Sequence, residues 1–475
     1  MRYQLHHDIG MRCDVDRNII YVKNPVESEL SDFLQTINSE LAVFLGLMDG
    51  SMEIDDVVRN WSELFFGTKP DREIGKVLQA MLKSKLGPDL QVHQILNKVD
   101  SKTLGRRDLP EISTLIVPKE IENIDDPRLR IPLQMLFMPT LDCTQKCSYC
   151  YSTESYSDNI KALEFKRIQE IMEEAKRLGM HTIDLSGGEP VSYRHFFPLL
   201  EKLFELGLEV NLPTKYPLSR EDVKRLKAIG LKTIQISIDA LTPKVIDKVV
   251  GLKGYGLKIL KTLDYLEEAA IGVRTNTVIT SYTLEEVEAL MRFLATKKNI
   301  YRVTQSPYSI SRFKHKSKFP ISNEEYKVIL EASEKIFESR PDISFNPGDV
   351  FEPYEKVSVI EREKSWDERS FCSGGRQNFA LLPDGKVTMC EELYYQRHYI
   401  MGDLTEQSIM EMWNSPEAKS ISYPPKELFP DGPCRDCKDL AACHYSPGRC
   451  VREAIKHFGE DKHYYPDPRC PKAPV

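Results

Sequence analysis

The chain has 475 residues, too many for one ordinary hydrophobic core, so two or three domains are expected. Its 72 acidic and 65 basic residues give a formal net charge of −7, which argues against a nucleic acid as the main partner. The first residues lack the apolar stretch of a signal peptide, and no apolar run approaches the ~20 residues that cross a bilayer. We therefore expect a cytoplasmic protein without a membrane segment. In that reducing compartment, eleven cysteines indicate metal binding rather than disulfides.

Residues 1–110 are predicted to form a small domain that begins with a β-hairpin. Apolar and polar side chains alternate over residues 11–15 and 19–22, and the polar residues between them are typical of a turn. Three segments with apolar residues at helical spacing follow: 39–48, 53–66 and 73–83. A hairpin with three short helices is a winged helix-turn-helix arrangement, which commonly binds DNA. Because the segment has no basic recognition helix, the sequence argues against that role.

Residues 111–130 contain prolines and charged runs without periodicity and are predicted to be a linker. Over residues 131–340, apolar strands alternate with helices, one of which is predicted over 287–296 behind a capping box of Thr283 and Glu286. Six strands are predicted: 133–141, 182–186, 209–214, 233–239, 273–280 and 301–309. Six strand–helix repeats indicate an α/β domain with a parallel sheet, whose reactive groups lie at the carboxyl ends of the strands.

Three cysteines follow the first predicted strand in the run Cys143-Thr-Gln-Lys-Cys147-Ser-Tyr-Cys150. Three thiolates at these offsets can bind three irons of a [4Fe-4S] cluster, whereas a cluster that only carries electrons normally has four cysteine ligands. The fourth iron is therefore open to a substrate or a cofactor. A zinc site or a chance group of thiols is the alternative. The run resembles the signature of the radical S-adenosylmethionine (radical SAM) enzymes, including an aromatic residue, Tyr149, before the last cysteine.

That resemblance implies a partial (β/α)6 barrel, similar to a TIM barrel, over residues 131–340. It also implies that Cys143, Cys147 and Cys150 hold the catalytic cluster, whose open iron binds the amino and carboxylate groups of S-adenosylmethionine (SAM). In this family, one electron from the cluster breaks the sulfonium bond of SAM and leaves a 5′-deoxyadenosyl radical. The electron would come from a donor such as flavodoxin or ferredoxin.

A Gly-Gly-Glu-Pro segment at residues 187–190 follows the second predicted strand and matches a further element of the family. Gly187 and Gly188 would let the backbone approach the ligand without a side-chain clash. Their backbone groups, together with Glu189, would meet the methionine ammonium of SAM. A surface turn of the same composition is the alternative.

Three more residues near strand ends are candidates for cofactor binding. Ser237 and Asp239 end the fourth predicted strand and resemble the family residues that face the ribose of SAM. Asn276 on the fifth strand is a further candidate, the alternative being that it satisfies backbone groups. Many relatives have an arginine after strand four that pairs with the SAM carboxylate. This chain lacks that motif, and either Lys248 or Arg274 could substitute.

Seven cysteines follow in residues 341–475: Cys372, Cys390, Cys434, Cys437, Cys443, Cys450 and Cys470. The first two fit C-x12-G-x4-C with Gly385 as the glycine, and the next three fit C-x2-C-x5-C. This order resembles the SPASM extension of radical SAM enzymes, which holds two auxiliary iron-sulfur clusters. Six residues separate Cys443 from Cys450, where the family usually has three.

The resemblance implies that the second auxiliary cluster is held by Cys434, Cys437, Cys443 and Cys470. The first auxiliary cluster would be held by Cys372, Cys390 and Cys450. Seven thiolates cannot saturate two four-iron clusters, so one iron is left open or takes another ligand. The hypothesis is that this iron belongs to the first auxiliary cluster and binds a substrate cysteine thiolate. The alternative is a zinc ribbon formed by Cys434, Cys437, Cys443 and Cys450.

In front of such a core, residues 1–110 resemble the peptide-recognition element of enzymes that modify ribosomally made peptides. The leader of a precursor peptide would dock there while its core enters the barrel, and the enzyme would form cysteine thioether bonds of the sactipeptide or ranthipeptide kind. Other radical outcomes are a carbon–carbon crosslink, epimerisation or formylglycine formation in a sulfatase. Outside the enzymes, the alternative is a peptide-binding scaffold stabilised by metal.

Overall fold

The computed structural model describes residues 1–28, 30, 34–67, 74–86, 90–99, 108–151, 161–309, 319–348 and 358–474. The chain divides into two compact units. The first comprises Met1–Leu133 with Leu178–Thr182, and the second comprises Gln134–Arg177 with Ile183–Val475. Within the described ranges, every helix is too short or too polar to cross a bilayer.

The first unit combines two small antiparallel sheets with three helices. Its elements are β1 (Arg2–Leu5), β2 (Ile9–Cys13), β3 (Asn18–Val22), β4 (Leu34–Ile37), α1 (Ser39–Gly46), α2 (Ile54–Phe66), α3 (Ile74–Leu82) and β5 (Leu96–Val99). The sheets have the orders β2-β3-β4 and β1-β5. The predicted hairpin and three helices are therefore confirmed, while the winged helix-turn-helix assignment stays a prediction.

Local signals explain the helix ends of the first unit. Asn38 precedes α1, and its side chain accepts a hydrogen bond from the backbone N–H of Leu41, which satisfies one of the free donors at the helix start. Gly67 ends α2 with a positive φ of 64°, a conformation that glycine adopts without strain. Between these ends, α2 buries Val58 and Trp61 in the core of the unit.

A buried ionic network holds the end of the segment 111–130 against the β2–β3 turn. Asp14, which is fully buried, accepts hydrogen bonds from the backbone N–H groups of Arg130 (2.8 Å) and Ile131 (2.9 Å). The guanidinium of Arg130 donates to Asp16 at 2.9 and 3.0 Å. The segment predicted to be a linker, 111–130, therefore packs within the first compact unit, because charged groups in the β2–β3 turn satisfy its backbone.

The second unit begins with alternating strands and helices. These are β6 (Gln134–Phe137), α4 (Phe165–Arg177), β7 (Thr182–Leu185), α5 (Phe196–Glu205), β8 (Glu209–Asn211), β9 (Pro213–Thr214), α6 (Arg220–Ile229), β10 (Thr233–Ser237), α7 (Pro243–Val250), α8 (Tyr255–Glu268), β11 (Gly272–Ile279), α9 (Val287–Thr296), β12 (Ile300–Pro307), α10 (Asn323–Glu338) and β13 (Ser344–Pro347). All six predicted strands are present, and the mixed α/β class is confirmed.

The strands form two sheets, one of order β13-β12-β11-β10-β9 and one in which β6-β7-β8 is extended by three later strands, β14 (Asn378–Leu381), β15 (Lys386–Thr388) and β16 (Ile400–Asp403), in the order β16-β15-β14-β6-β7-β8. The pairs from β9 to β13 are parallel, as are β6–β7 and β6–β14. The third predicted strand, 209–214, is divided into β8 and β9 around Leu212. Pro213 starts β9 and has no backbone N–H, which explains the interruption. This arrangement of parallel neighbours is compatible with the predicted partial barrel.

The C-terminal part of this unit is built from short elements. They are α11 (Val359–Asp367), β14 (Asn378–Leu381), β15 (Lys386–Thr388), β16 (Ile400–Asp403), α12 (Ile409–Trp413), α13 (Pro416–Ser422), α14 (Leu440–Tyr445) and α15 (Val451–Phe458). β14 pairs in parallel with β6, so this part continues the barrel sheet. The β14–β15 turn contains Gly385, the glycine of the C-x12-G-x4-C motif, with a φ of 90°.

Candidate active site and metal-binding thiols

The cysteine run lies directly after β6, and backbone hydrogen bonds hold it. The N–H groups of Lys146 and Ser148 donate to the carbonyls of Val250 (2.9 Å) and Val249 (3.0 Å) at the end of α7. Cys143 donates through its thiol to the side chain of Gln145 (2.9 Å). The structure thus places Cys143, Cys147 and Cys150 in one short loop at the carboxyl end of a parallel strand, where the sequence predicts them.

The electrostatics of this loop oppose free thiolates. Burial raises the pKa of Cys143 to about 12, and the charges of Glu189, Cys147 and Cys150 act in the same direction. A bound metal reverses this effect, because its positive charge stabilises the thiolate form. All eleven cysteines of the chain are free of disulfides. The thiols therefore fit a metal cluster as a donor set.

Two glycines bring the next loop against the cysteine run. A Cβ atom on Gly187, whose φ is 113°, would lie 2.3 Å from the carbonyl oxygen of Thr140. A Cβ atom on Gly188 would lie 2.3 Å from the carbonyl oxygens of Leu141 and Asp142. The glycines thus allow the two loop backbones to touch. Their predicted role in the approach to SAM stays a prediction.

Glu189 is 3% exposed and ties the same loop to β9. Its carboxylate accepts hydrogen bonds from the hydroxyl of Thr214 (2.6 Å) and the backbone N–H of Lys215 (3.0 Å). Burial raises its pKa, although these hydrogen bonds oppose the shift. The backbone N–H of Val191 also donates to this carboxylate at 3.3 Å. A carboxylate has about four acceptor positions, so these three donors leave Glu189 room for one more.

A buried polar cluster joins Tyr149 of the cysteine run to two barrel strands. The hydroxyl of Tyr149 donates to Asp239 Oδ2 (2.7 Å), and Lys215 Nζ is hydrogen-bonded to Tyr149 (2.5 Å) and ion-paired with Asp239. Asp239 Oδ1 accepts from the backbone N–H of Val278 (3.0 Å). Burial, the largest single influence, would lower the pKa of Lys215, but attraction to Asp239, Cys147 and Cys150 together with the hydrogen bond to Asp239 outweighs it, and the pKa is raised. The amine is therefore a fixed positive charge beside the cysteine run.

Lys215 is a site residue that the sequence patterns above do not predict. Its signal is its position directly after the third predicted strand, because reactive groups gather at the carboxyl ends of parallel strands. A lysine after a strand is usually a solvated charge, so the sequence does not distinguish the two cases.

Ser237 and Asn276 lie side by side in the sheet, since they are register partners of β10 and β11. The side chain of Asn276 accepts a hydrogen bond from the hydroxyl of Ser306 (3.0 Å) on β12. Its backbone carbonyl accepts from the N–H of Ile238 (3.0 Å). The predicted ribose-facing residues therefore occupy neighbouring strands at one end of the barrel.

The two candidates for the SAM carboxylate lie in different surroundings. The amine of Lys248 is 4.5 Å from the ring centre of Tyr282. Arg274 is in register with Gln235 and Arg302 on the neighbouring strands. Burial raises the pKa of Asp184, and the charge of Arg274 partly offsets that shift. Neither position identifies the carboxylate partner.

A second buried bridge joins the cysteine run to the C-terminal part of the unit. Glu391, the residue after Cys390, accepts hydrogen bonds from the hydroxyls of Tyr151 (3.3 Å) and Ser186. Tyr151 follows Cys150 in the chain. Burial raises the pKa of Glu391. The loop that carries a predicted ligand of the first auxiliary cluster is therefore tied to both the cysteine run and the Gly-Gly-Glu-Pro loop.

The four cysteines assigned to the second auxiliary cluster line a single cavity: Cys434, Cys437, Cys443 and Cys470. Arg449 and Lys472 also line it, and Lys472 Nζ donates to the sulfur of Cys437 (3.3 Å). Asp439 and Asp467 line the cavity too, and Lys472 is ion-paired with Asp439. The hydrogen bond from Lys472 to sulfur is of the kind that tunes a bound iron-sulfur cluster. The residues therefore fit the predicted cluster.

A neighbouring cavity is lined by Cys372 together with Cys434, Cys443 and His444. Met389 and Val451, the chain neighbours of Cys390 and Cys450, also line it. Burial raises the pKa of Cys390 to about 12 and that of Cys450 to about 11. Thus one predicted ligand of the first auxiliary cluster lines this cavity, and the other two lie next to lining residues.

Comparison with known proteins agrees with this site. Residues 137–294 match the Radical SAM superfamily, and residues 372–438 match the SPASM iron-sulfur cluster-binding domain. The chain is 24% identical over 362 residues to the PqqA peptide cyclase of Rhizobium meliloti (strain 1021), covering 74% of this chain and 89% of that protein. The PqqA peptide cyclase of Ruegeria pomeroyi is 24% identical over 351 residues, with coverages of 72% and 88%.

The fold resembles that of Streptococcus suis SuiB. The SuiB structure bound to precursor peptide SuiA has a TM-score of 0.63 and 18% identity and covers 98% of each chain. The structure bound to S-adenosylmethionine has the same TM-score, with 17% identity and coverages of 98% and 99%. At these identities the likeness concerns the fold alone.

The domain matches favour iron-sulfur clusters over zinc at these thiols. Because residues 372–438 match an iron-sulfur domain, auxiliary clusters account for the C-terminal thiols better than a zinc ribbon does. The chain therefore carries a radical SAM domain over residues 137–294 and a SPASM domain after it, and these domains imply S-adenosylmethionine, a [4Fe-4S] cluster and auxiliary clusters as cofactors.

Proposed function

We propose that this enzyme forms a covalent crosslink within a ribosomally made precursor peptide. Relatives that cover more than 70% of the chain are peptide cyclases, and the similar SuiB fold has been seen with a precursor peptide. The observation that carries the proposal is the Tyr151–Glu391 hydrogen bond, which ties the cysteine run to the auxiliary-cluster loop. A crosslink removes two hydrogens from the substrate, so the reaction needs an electron acceptor near the site of hydrogen abstraction.

Specific residues would hold the cofactors. Cys143, Cys147 and Cys150 would bind the cluster that, with SAM, supplies a 5′-deoxyadenosyl radical able to remove hydrogen from the peptide. Glu189 and the backbone beside it would orient the methionine ammonium. The ribose would lie against the ends of three strands, at Ser237, Asp239 and Asn276. The seven C-terminal cysteines would hold the auxiliary clusters that accept the surplus electron.

The carboxylate partner of SAM has a third candidate beside Lys248 and Arg274. Lys215 is buried, positively charged and within hydrogen-bond distance of Tyr149 in the cysteine run. Its backbone N–H also donates to Glu189, the proposed ammonium partner. Lys215 would thereby bind the carboxylate of the SAM methionine and also position Glu189 at its ammonium. This double contact favours Lys215 as the carboxylate partner.

Residues 1–110 would recognise the leader of the peptide. The β2-β3-β4 sheet could accept an added strand, whose main-chain hydrogen bonds would supply affinity while side-chain pockets would supply selectivity. Reduction of the radical SAM cluster would come from flavodoxin or ferredoxin. Deletion of residues 1–110 should abolish turnover of a leader-bearing peptide, and unaffected turnover would contradict leader docking there.

The finer proposal is that the new bond is a cysteine thioether. A hydrogen atom leaves the acceptor carbon, the cysteine thiol loses its proton, and the remaining electron passes to an auxiliary cluster as the carbon–sulfur bond forms. A ring closed without sulfur is the second candidate, because the relatives named as peptide cyclases cover most of the chain.

Co-expression with a precursor peptide tests whether a crosslink forms and whether it is a thioether. The peptide would be the short cysteine-rich product of a reading frame beside the coding sequence, and mass spectrometry should show the loss of two hydrogens per bridge. An unchanged mass would contradict crosslinking. Alkylation of free thiols then separates the candidates, because a thioether removes one alkylation site and a ring without sulfur does not. The control is the Cys143→Ala, Cys147→Ala, Cys150→Ala variant, which should leave the peptide unmodified.

A further inference from the structure

One buried nitrogen near the auxiliary thiols has no assigned role. His444 lies on α14, directly after Cys443, and its Nε2 atom is buried without a hydrogen-bond partner among the described residues. Burying a polar atom unpaired is unfavourable, and such an atom in a native protein calls for a partner. A metal ion is one partner that a neutral imidazole nitrogen commonly takes.

The position of His444 relates it to the first auxiliary cluster. Its side chain lines the cavity that contains Cys372 and is absent from the lining of the cavity with the four thiols. Its ring stacks against Tyr423 with centres 5.6 Å apart, which fixes the imidazole. Two hydrogen bonds hold the following residues to the Cys372 segment: Arg376 to the carbonyl of Ser446 (2.8 Å) and the Cys372 N–H to that of Pro447 (3.2 Å).

The number of thiols leaves one iron of the auxiliary clusters without a cysteine ligand, and a histidine nitrogen could bind it. Two four-iron clusters have eight irons, and the chain provides seven thiolates for them. Four of these line the cavity of the second auxiliary cluster. Cys434 and Cys443 also line the cavity with His444, but the family resemblance gives both to the second cluster, so the iron without a thiolate belongs to the first. Histidine is an accepted ligand of iron-sulfur irons, as in the Rieske centres. We propose that His444 Nε2 binds the iron of the first auxiliary cluster that Cys372, Cys390 and Cys450 leave without a thiolate.

His444 lies within the six residues that separate Cys443 from Cys450, where the family usually has three. The proposed ligand also changes the thioether hypothesis, because a substrate thiolate would have to displace the imidazole before it could bind this iron.

The test uses the full chain carrying Cys143→Ala, Cys147→Ala and Cys150→Ala, so that only auxiliary clusters contribute to the spectrum, and no peptide is added. Protein labelled with ¹⁵N-histidine is reduced and examined by pulsed EPR. We expect a hyperfine coupling typical of a directly bound histidine nitrogen. Its absence from this parent protein would overturn the assignment without any further variant.

Variants then identify the residue. His444→Ala should lose the coupling, whereas His457→Ala, on α15 and outside both cavities, should keep it. Adding ¹⁵N-imidazole to unlabelled His444→Ala should restore it. A coupling that survives His444→Ala would overturn the proposal, as would failure of imidazole to restore it in a variant that retains its iron. Because no peptide is present, these results are independent of the proposed crosslinking reaction.

Discussion

The two thiol-bearing regions of the second unit are positioned in different ways. At the cysteine run, backbone contacts fix the geometry, and the Gly188 position has no room for even a Cβ atom. At the auxiliary thiols, Cys434, Cys437 and Cys443 are close in the sequence, but Cys372, Cys390 and Cys470 come from other segments, and the cavities at these thiols also contain charged side chains. A site built from consecutive residues and held by the backbone can be recognised from a short sequence motif. A site assembled from several segments can be recognised only from the order and spacing of its cysteines.

The two regions also differ in how the negative charge of their thiolates and carboxylates is neutralised. Around the cysteine run, the cation Lys215 is already committed to Asp239 and Tyr149 in a buried cluster. Around the second auxiliary thiols, Lys472 is half-exposed, contacts a sulfur directly and is ion-paired with Asp439, which is itself exposed. Substitutions at the first region should therefore disturb assembly, and substitutions at the second should adjust the properties of an assembled cluster.

The largest effect is expected from Gly188→Ala. The added methyl would lie 2.3 Å from two carbonyl oxygens of the cysteine loop, so the loops must separate. We expect iron to fall by about four of the roughly twelve atoms per chain, and release of 5′-deoxyadenosine to fall by more than about 100-fold. Iron analysis and chromatography of the reaction products measure these changes.

Gly254→Ala is the matched control for steric overlap. Gly254 has a φ of 75°, yet nothing lies within 4 Å of the position that an added Cβ atom would take. Backbone strain should cost about 1–2 kcal/mol of unfolding free energy while the iron content is kept. If Gly188→Ala retains all its iron, the backbone contacts do not define the cysteine run.

The next effect is expected from Lys215→Met. Removing the amine leaves the carboxylate of Asp239 buried without its ion-pair partner, which should lower the free energy of unfolding by about 3 kcal/mol. If Lys215 also binds the SAM carboxylate, the affinity for SAM should fall by about tenfold or more. Denaturant unfolding and the SAM-induced change in the EPR spectrum of the reduced cluster report these two quantities.

Arg292→Met serves as the comparison, because Arg292 pairs with Glu288 on an exposed face of α9. That change should cost less than about 0.5 kcal/mol and leave SAM binding unaltered. If Lys215→Met loses stability but binds SAM normally, Lys215 has only a structural role. Lys248 or Arg274 would then be the partner of the SAM carboxylate.

A smaller effect is expected at the Tyr151–Glu391 bridge. Glu391→Gln keeps one side-chain oxygen, and both hydrogen bonds from Tyr151 and Ser186 are accepted by a single oxygen of Glu391, so this variant can still accept them. We expect less than about threefold loss of peptide crosslinking for this variant. Glu391→Ala removes the acceptor and should cost about 1–3 kcal/mol of stability and about tenfold in crosslinking. Equal rates for the two variants would show that the hydrogen bonds do not matter.

Much of the fold was predictable from the sequence because it follows from strand and helix periodicity. All six predicted strands are present, and the helix predicted over 287–296 matches α9. Its predicted capping box is wrong. The Thr283 side chain makes no capping bond, and Glu286 instead accepts from the backbone N–H groups of Leu241 and Thr242. Tertiary contacts thus overrode a local signal.

The placement of the candidate site was predictable where its residues are consecutive. The cysteine run and the Gly-Gly-Glu-Pro loop are contiguous in the sequence, and the structure places them after two neighbouring parallel strands, β6 and β7, while their roles toward SAM stay predictions. Lys215 and Glu391 contact side chains distant in the chain, and a position after a strand or beside a cysteine does not separate them from ordinary polar residues. The packing of residues 111–130 was not predictable for the same reason, since it depends on Asp14 and Asp16 in a distant turn.

The smallest effect is expected from Lys472→Gln at the second auxiliary thiols. Lys472 donates to the sulfur of Cys437, and a positive charge with a hydrogen bond to sulfur stabilises the reduced, more negative cluster. The variant should keep its iron, while the reduction potential of this cluster falls by on the order of tens of millivolts. EPR-monitored redox titration measures the shift, and Lys438→Gln, a change of equal charge in the same loop, is the control. Loss of iron in Lys472→Gln would mean that a side-chain charge is required for assembly here, and the contrast with the backbone-fixed cysteine run would fail.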